Sequence, residues 1–205
     1  MSDREVGVTG LKSIQKRTFD IIFSMLGLMF LWWLILLAAL VSRIDTGLNG
    51  FFTQRRVGRD GRLFDVIKIR TMSPVANVDT TVTTDNDTRI TAVGRFFRKT
   101  KIDELPQLVN VLLGHMSFVG PRPDVPGFAD QLVGDERSIL SIRPGITGPA
   151  TLQYRDEEKL LASVDDPERY NREVIFPNKV KINMEYIRDC SLSNDLKYIF
   201  ATIFG

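Results

Sequence analysis

Cysteine and histidine are nearly missing from this chain: each occurs once, as Cys190 and His115. A single cysteine excludes an intramolecular disulfide framework and any cysteine-based zinc site, and it suits a reducing compartment. A single histidine closes off a histidine-rich metal centre and leaves none to spare for a Ser-His-Asp triad. No G-x-x-x-x-G-K-[ST] run is present, nor a G-x-G-x-x-G after a strand-like segment, which argues against a P-loop or dinucleotide site. Internal repeats are lacking too. Neither sign of charge dominates, since 27 Lys and Arg face 25 Asp and Glu for a net +2, and that value alone names no partner. Any chemistry must therefore come from carboxylates and basic groups. With 205 residues, 43% hydrophobic and 25% charged, the chain suits one domain with an appendage, neither a disordered polyelectrolyte nor a multi-span membrane protein.

What is present starts with an apolar run. Ile21 to Val41 carries no charge, close to the roughly 20 residues that a helix needs to cross a hydrocarbon core. It is too long for a signal-peptide core and lacks a small-x-small exit, so it is expected to stay in the mature protein. Lys12, Lys16 and Arg17 precede it, and Arg43, Arg55, Arg56, Arg59 and Arg62 follow. Positive residues stay on the cytoplasmic side, so two basic flanks favour a re-entrant helix that returns to the face it entered. Ser24 and Gly27 are only weak places for a bend, because no proline breaks the run. Trp32 and Trp33 sit mid-segment rather than at an interface, and the sequence offers no reason for it.

The rest divides into a flexible terminus over 1–11, the membrane-inserted region over 12–45, and a cytoplasmic-face catalytic domain over 46–205. The expected fold is α+β and mostly helical, with amphipathic interfacial helices and a small β-hairpin. FFTQRRVG and RLFDVIKIRTM, joined through Arg59-Asp60-Gly61, predict that hairpin with a tight primed turn. The polar, Thr-rich stretch from Ser73 to Asp87 reads as a loop. GRFFRKTK, Gly94 to Lys101, sets two Phe beside four cations and fits a helix in the headgroup layer. Asp103 to Leu113 predicts a helix with Asp103 as cap, Pro106 in the first turn and Gly114 as stop. Two stiff turns follow, each holding an arginine, Arg122 in Gly120 to Pro123 and Arg143 in Arg143 to Gly148. Helical stretches are expected around Glu157 to Val164, Pro167 to Arg188 and Leu196 to Phe204, the last also against a bilayer.

Asp103 and Glu104, opening a helix after a basic run, are both expected to be ionised at neutral pH. Sequence neighbours point about 100° apart on a helix, so the pair cannot form a facing dyad and two separate roles are implied. One carboxylate can attack phosphorus while the other holds a divalent cation, for which magnesium is the natural choice. An anion attacking a diphosphate needs screening, for which Arg98, Arg122, Arg143, Lys68 and Arg70 are the candidates. The plainer alternative is that Asp103 only caps the helix and Glu104 is only a first-turn acid.

Taken in order, KRTFDIIFS (Lys16 to Ser24), FFTQRRVGRDGRLFDVIKIRTM (Phe51 to Met72), DTRITAVGRFFRKTKIDELPQLVNVLLGHMSFVGPRP (Asp87 to Pro123) and RPGITGPA (Arg143 to Ala150) resemble the small monotopic phosphoglycosyl transferases, the bacterial initiating sugar transferases. The resemblance implies transfer of a sugar 1-phosphate from a UDP-sugar to undecaprenyl phosphate, with release of UMP, at the cytoplasmic face of the bacterial inner membrane. It implies Asp103 as covalent nucleophile and Glu104 as magnesium ligand. It also implies Arg98 and Arg122 as phosphate or nucleotide ligands and Pro121 and Pro123 as shaping the uridine pocket; Lys68, Arg70 and Arg143 follow by motif position. Members of the family commonly associate, so a homo-oligomer is a further expectation. Where the family carries Ser-Pro midway along its membrane helix, this chain has Trp32-Trp33. The competing reading is a non-enzymatic peripheral protein whose basic face binds anionic lipid or a partner. Nucleic-acid binding is disfavoured by the small net charge and the membrane segment.

Overall fold

The computed structural model describes residues 10–73, 83–84 and 87–205. The flexible terminus expected over 1–11 lies outside these residues except for Gly10 and Leu11, which already belong to a helix, and most of the loop expected over 73–87 lies outside them too. The architecture is α+β and mostly helical.

The first helix, α1 (Gly10–Thr46), has 37 residues, or about 55 Å at 1.5 Å per residue. Among the described residues it is the one helix long and apolar enough to cross a membrane. It runs through Ser24 and Gly27 without a break, so neither position supplies a bend; Ser24 simply donates back to the Ile21 carbonyl at 3.1 Å. Asp20, Ser24, Ile35, Ala38, Ala39 and Ser42 are buried against the rest of the protein, three or four residues apart in most steps. Phe30, Trp32, Trp33 and Leu36 on other faces are more than half exposed. Both ends are fastened to the same body. Arg17 donates to the Val111 and Leu112 carbonyls at 2.7 and 2.8 Å, Asp20 accepts from Ser117 and the Phe118 amide at 3.1 Å each, and Ser42 donates to the Arg70 carbonyl at 2.6 Å.

The hairpin forms as expected from β1 (Phe51–Val57) and β2 (Leu63–Ile69), antiparallel with Phe51 opposite Ile69 and Val57 opposite Leu63. Asp60 and Gly61 both take positive φ, 58° and 77°, and the Arg62 amide donates to the Arg59 carbonyl, which is the primed turn. The Gly58 amide then meets the Arg62 carbonyl, so three residues rather than two form the loop. Next comes α2 (Ala92–Thr100), capped by Thr91, whose hydroxyl accepts from the Gly94 amide. A Cβ on Gly94 would lie 2.1 Å from the Thr71 carbonyl oxygen, so glycine alone lets α2 close on the end of the hairpin.

The helix expected over Asp103–Leu113 is shorter than anticipated. Ile102–Glu104 is a 3-10 turn, and α3 covers only Gln107–Leu113, with Gly114 at its end. Pro106 has no N–H to give, and the chain here is held by i to i+3 bonds such as Leu105 to Ile102 and Leu108 to Leu105. A second, parallel pair, β3 (Ser117–Val119) with β4 (Gly145–Thr147), was not anticipated. Beyond it lie α4 (Pro149–Gln153), α5 (Glu157–Ala162), α6 (Pro167–Tyr170), a π turn over Asn171–Ile175, α7 (Phe176–Arg188) and α8 (Leu192–Phe204). The main core gathers Val57, Val119, Ile139, Val180 and Ile187, each side chain of this kind stabilising the fold by about 1.5–3 kcal/mol when fully buried. A separate cluster joins α1 to the site region through Ile35, Ala38, Ala39, Ile69 and Phe97. α8 is pinned by a buried network in which Tyr186 donates to Asp195 at 2.6 Å and Lys16 pairs with Asp195.

Candidate active site

The carboxylate pair sits where the hairpin, α2 and α3 meet. Asn110 of α3 grips the β2 backbone, accepting from the Ile67 amide at 3.0 Å and donating to the Asp65 carbonyl at 2.8 Å. That grip sets Lys68, the next residue, over Glu104, with Nζ 3.1 Å from Oε1. From the other side comes Arg122, also 3.1 Å from Glu104 Oε1. Its backbone is stiffened by Pro121 and Pro123 and clamped at both ends: Gly145 donates to the Pro121 carbonyl at 2.8 Å, and Arg56 donates to the Pro123 carbonyl at 3.1 Å. Between α2 and the 3-10 turn, Lys101 holds a left-handed φ of 58°, which turns the chain so that Asp103 points inward.

Burial pushes the Glu104 carboxyl up, but the charges of Lys68, Arg122 and Lys101 overcome it and hold the group well below the usual carboxylate range. Asp103 goes the other way. Burial, then the charge of Glu104, raise it to about 6 against the pull of Lys68, Arg98 and Lys101. At pH 7 the ionised form still leads by about ten to one. The pair lies in a 3-10 turn ahead of α3, so of the two influences expected on it, a helix dipole and neighbouring cations, it is the cations that limit the rise of Asp103. Lys68 is lowered by burial, partly opposed by Glu104. Asp103 Oδ1 is buried and has no hydrogen-bond partner. No group of three or more metal-type side chains gathers among the described residues. Two adjacent hard oxygen donors, one with an orphaned atom, nevertheless fit a divalent cation that takes its other ligands from water and substrate phosphates.

Of the residues singled out from sequence, the structure brings together Asp103, Glu104, Lys68 and Arg122, with Pro121 and Pro123 framing the arginine. Arg98 lies across the site, near enough for its charge to act on Asp103, and pairs with Glu158 of α5. Two candidates lie elsewhere. Arg143 donates to the Gly114 carbonyl at 2.8 Å, satisfying the end of α3. Arg70 donates to the Asn49 carbonyl at 2.7 Å and stacks over Phe52 beside α1. In both, Nε is given to a backbone carbonyl, and neither side chain reaches the carboxylate pair in this arrangement. Sequence reasoning also missed Arg56, lowered to about 10 by burial and then by Arg122. Its signal was available, because Phe52, Gln54 and Arg56 share the face of β1 that lies opposite Lys68 and its alternates. Asp124 was missed as well; burial raises it to about 6 against Lys179, Arg56 and Arg122.

Residues 11–205 match the family model described as bacterial sugar transferase. The chain is 35% identical over 203 residues to the UDP-glucose:undecaprenyl-phosphate glucose-1-phosphate transferase of Escherichia coli K12, covering 96% of this chain and 41% of that protein. It is 38% identical over 198 residues to the undecaprenyl-phosphate glucose phosphotransferase of Komagataeibacter xylinus, covering 93% and 35%. It is 34% identical over 200 residues to the exopolysaccharide production protein PSS of Rhizobium leguminosarum, covering 93% and 94%. The chain thus spans about two fifths of the first of these relatives, at 41%, and nearly all of the last, at 94%.

Proposed function

Because this chain belongs to the bacterial sugar transferase family, we propose that it moves a sugar 1-phosphate from a UDP-sugar to undecaprenyl phosphate, the type of reaction for which its relatives are named. The observation that carries the reading is Asp103, a buried carboxylate with an unpartnered oxygen, surrounded by the charges of Lys68, Arg98 and Lys101.

In the first half, an Asp103 oxygen attacks the sugar-bearing phosphorus. A phosphorus–oxygen bond forms, the bond to the nucleoside phosphate breaks, and UMP departs. In the second half, a phosphate oxygen of the lipid attacks the same phosphorus and the bond to Asp103 breaks, leaving the lipid diphosphate sugar and a free carboxylate. No proton has to move in either half. Lys68 and Arg122 keep Glu104 ionised and bring positive charge to the donor phosphates, and Arg98 approaches them from α2. Magnesium, held by Glu104 beside Asp103, would supply further neutralisation of the diphosphate. The exposed apolar faces of α1 and α8 would lie in the lipid, where the acceptor resides. Both ends of α1 are tied to one domain, which supports placing both on one side of the bilayer, the cytoplasmic face of the inner membrane.

The test is to incubate the purified chain and magnesium with UDP-glucose, UDP-galactose and other UDP-sugars while withholding the lipid. Expected is a burst of UMP no larger than the amount of enzyme, with a sugar-phosphate adduct on Asp103 seen by mass spectrometry. Asp103→Asn should give neither. UMP release by that variant at the wild-type rate would remove the assignment.

A further inference from the structure

Two consecutive glutamates open α5, and each takes a cation from a different element. Glu157 holds Lys179 of α7 through both oxygens at 2.7 and 2.6 Å, and Lys179 also lies over the Tyr154 ring at 5.5 Å. Glu158 pairs with Arg98 Nη2 of α2. The two pairs are not equally protected. Side-chain exposures are 15% and 24% for Lys179 and Glu157, against 24% and 42% for Arg98 and Glu158. α5 is therefore a strap from α7 to α2, firmly anchored at one end and loosely fastened at the other, and the loose end rests on the guanidinium beside Asp103.

We propose that Glu158 is an internal anion that occupies Arg98 until the donor diphosphate displaces it, so that this carboxylate sets donor affinity. The proposal rests on the donor reading above. A guanidinium presents donors in a fixed fork suited to one carboxylate or one phosphate at a time. A diphosphate carries more charge than a carboxylate, so it wins the exchange, at the cost of breaking the Arg98–Glu158 pair. Loss of that pair leaves α5 held by the Glu157–Lys179 pair alone.

Binding of UDP-glucose to Asp103→Asn protein, which cannot turn over, is measured by calorimetry with and without Glu158→Gln; the steady-state KM and kcat are measured in the otherwise wild-type chain. A partly exposed ion pair of this kind is worth enough to shift affinity about two- to fivefold. The expected result is tighter binding and a lower KM by that factor in Glu158→Gln, with kcat changed less. Glu158→Asp, one methylene too short to reach Arg98, should behave like Glu158→Gln. Unchanged or weaker binding in Glu158→Gln overturns the proposal, since it would make Glu158 a mere support for Arg98. Binding of no UDP-sugar even by the Glu158-intact chain overturns the donor reading instead, and this one with it. Glu158 is 42% exposed, so its replacement should leave the fold intact, which melting curves of each variant check.

Discussion

Replacing Asp103 by Asn should make the protein more stable while abolishing turnover. The folded carboxyl sits at about 6 against an ordinary 3.8, chiefly because it is buried at 6% exposure. A raised carboxyl favours the fold most when protonated: that stabilisation is complete below 3.8 and is lost as pH rises through about 6. Above that range the ionised group costs about 3 kcal/mol relative to its protonated form, at about 1.36 kcal/mol per pH unit. Asparagine keeps the shape and never pays this cost. The variant should therefore gain about 3 kcal/mol at pH 8 and about half as much at pH 5, where the wild-type carboxyl is mostly protonated when folded. For a chain of this length that corresponds to a rise in Tm of roughly 6–12 °C at pH 8. Thermal melts of both proteins in the same detergent from pH 5 to 8 measure it. A variant no more stable than wild type at pH 8, or a gap that fails to narrow toward pH 5, refutes the argument that burial strains this carboxylate.

Three further outcomes follow from the same geometry. The kcat/KM for the donor should be flat above pH 7 and fall about tenfold per unit below about 6, to which burial raises Asp103, because only the carboxylate attacks; a profile flat to pH 5 in a UMP-release assay counts against it. Lys68→Met removes one of the two cations on a Glu104 side chain only 11% exposed, and should cost about 2 kcal/mol in denaturant unfolding and raise the donor KM. Gly94→Ala puts a methyl group 2.1 Å from the Thr71 carbonyl; it should cost about 1–3 kcal/mol in thermal melts and slow UMP release by displacing α2 and Arg98.

Patterned segments were the legible ones. The hairpin announced itself through alternating strand formers and Asp60-Gly61, and the amphipathic helices through their spacing. The β3–β4 pair escaped because its strands have three residues each, too few to show alternation, and pair across more than twenty residues of intervening chain. Helix periodicity gave the stripe of α3 but not its start, since Pro106 lets the apolar pattern continue while changing how the backbone is bonded. In the site, Asp103, Glu104, Lys68 and Arg122 converged because three motifs carried them. Arg143 and Arg70 show what a motif omits: the fold gives their Nε atoms to the Gly114 and Asn49 carbonyls, away from the carboxylate pair. Glu157 and Glu158 looked like ordinary first-turn acids, and only the approach of α2 and α7 gave them partners.

The bonds that Arg17, Asp20 and Ser42 make also bear on how this protein can be handled. Cutting away α1 to obtain a water-soluble enzyme would do more than remove a lipid anchor. It would take Arg17 from the Val111 and Leu112 carbonyls, Asp20 from the Ser117 hydroxyl and Lys16 from Asp195, and bare the apolar surface of Ile69 and Phe97 directly behind the Asp103 turn. The greasy helix is a wall of the domain, so a soluble version calls for repainting its exposed apolar side with polar residues and keeping its inner side intact.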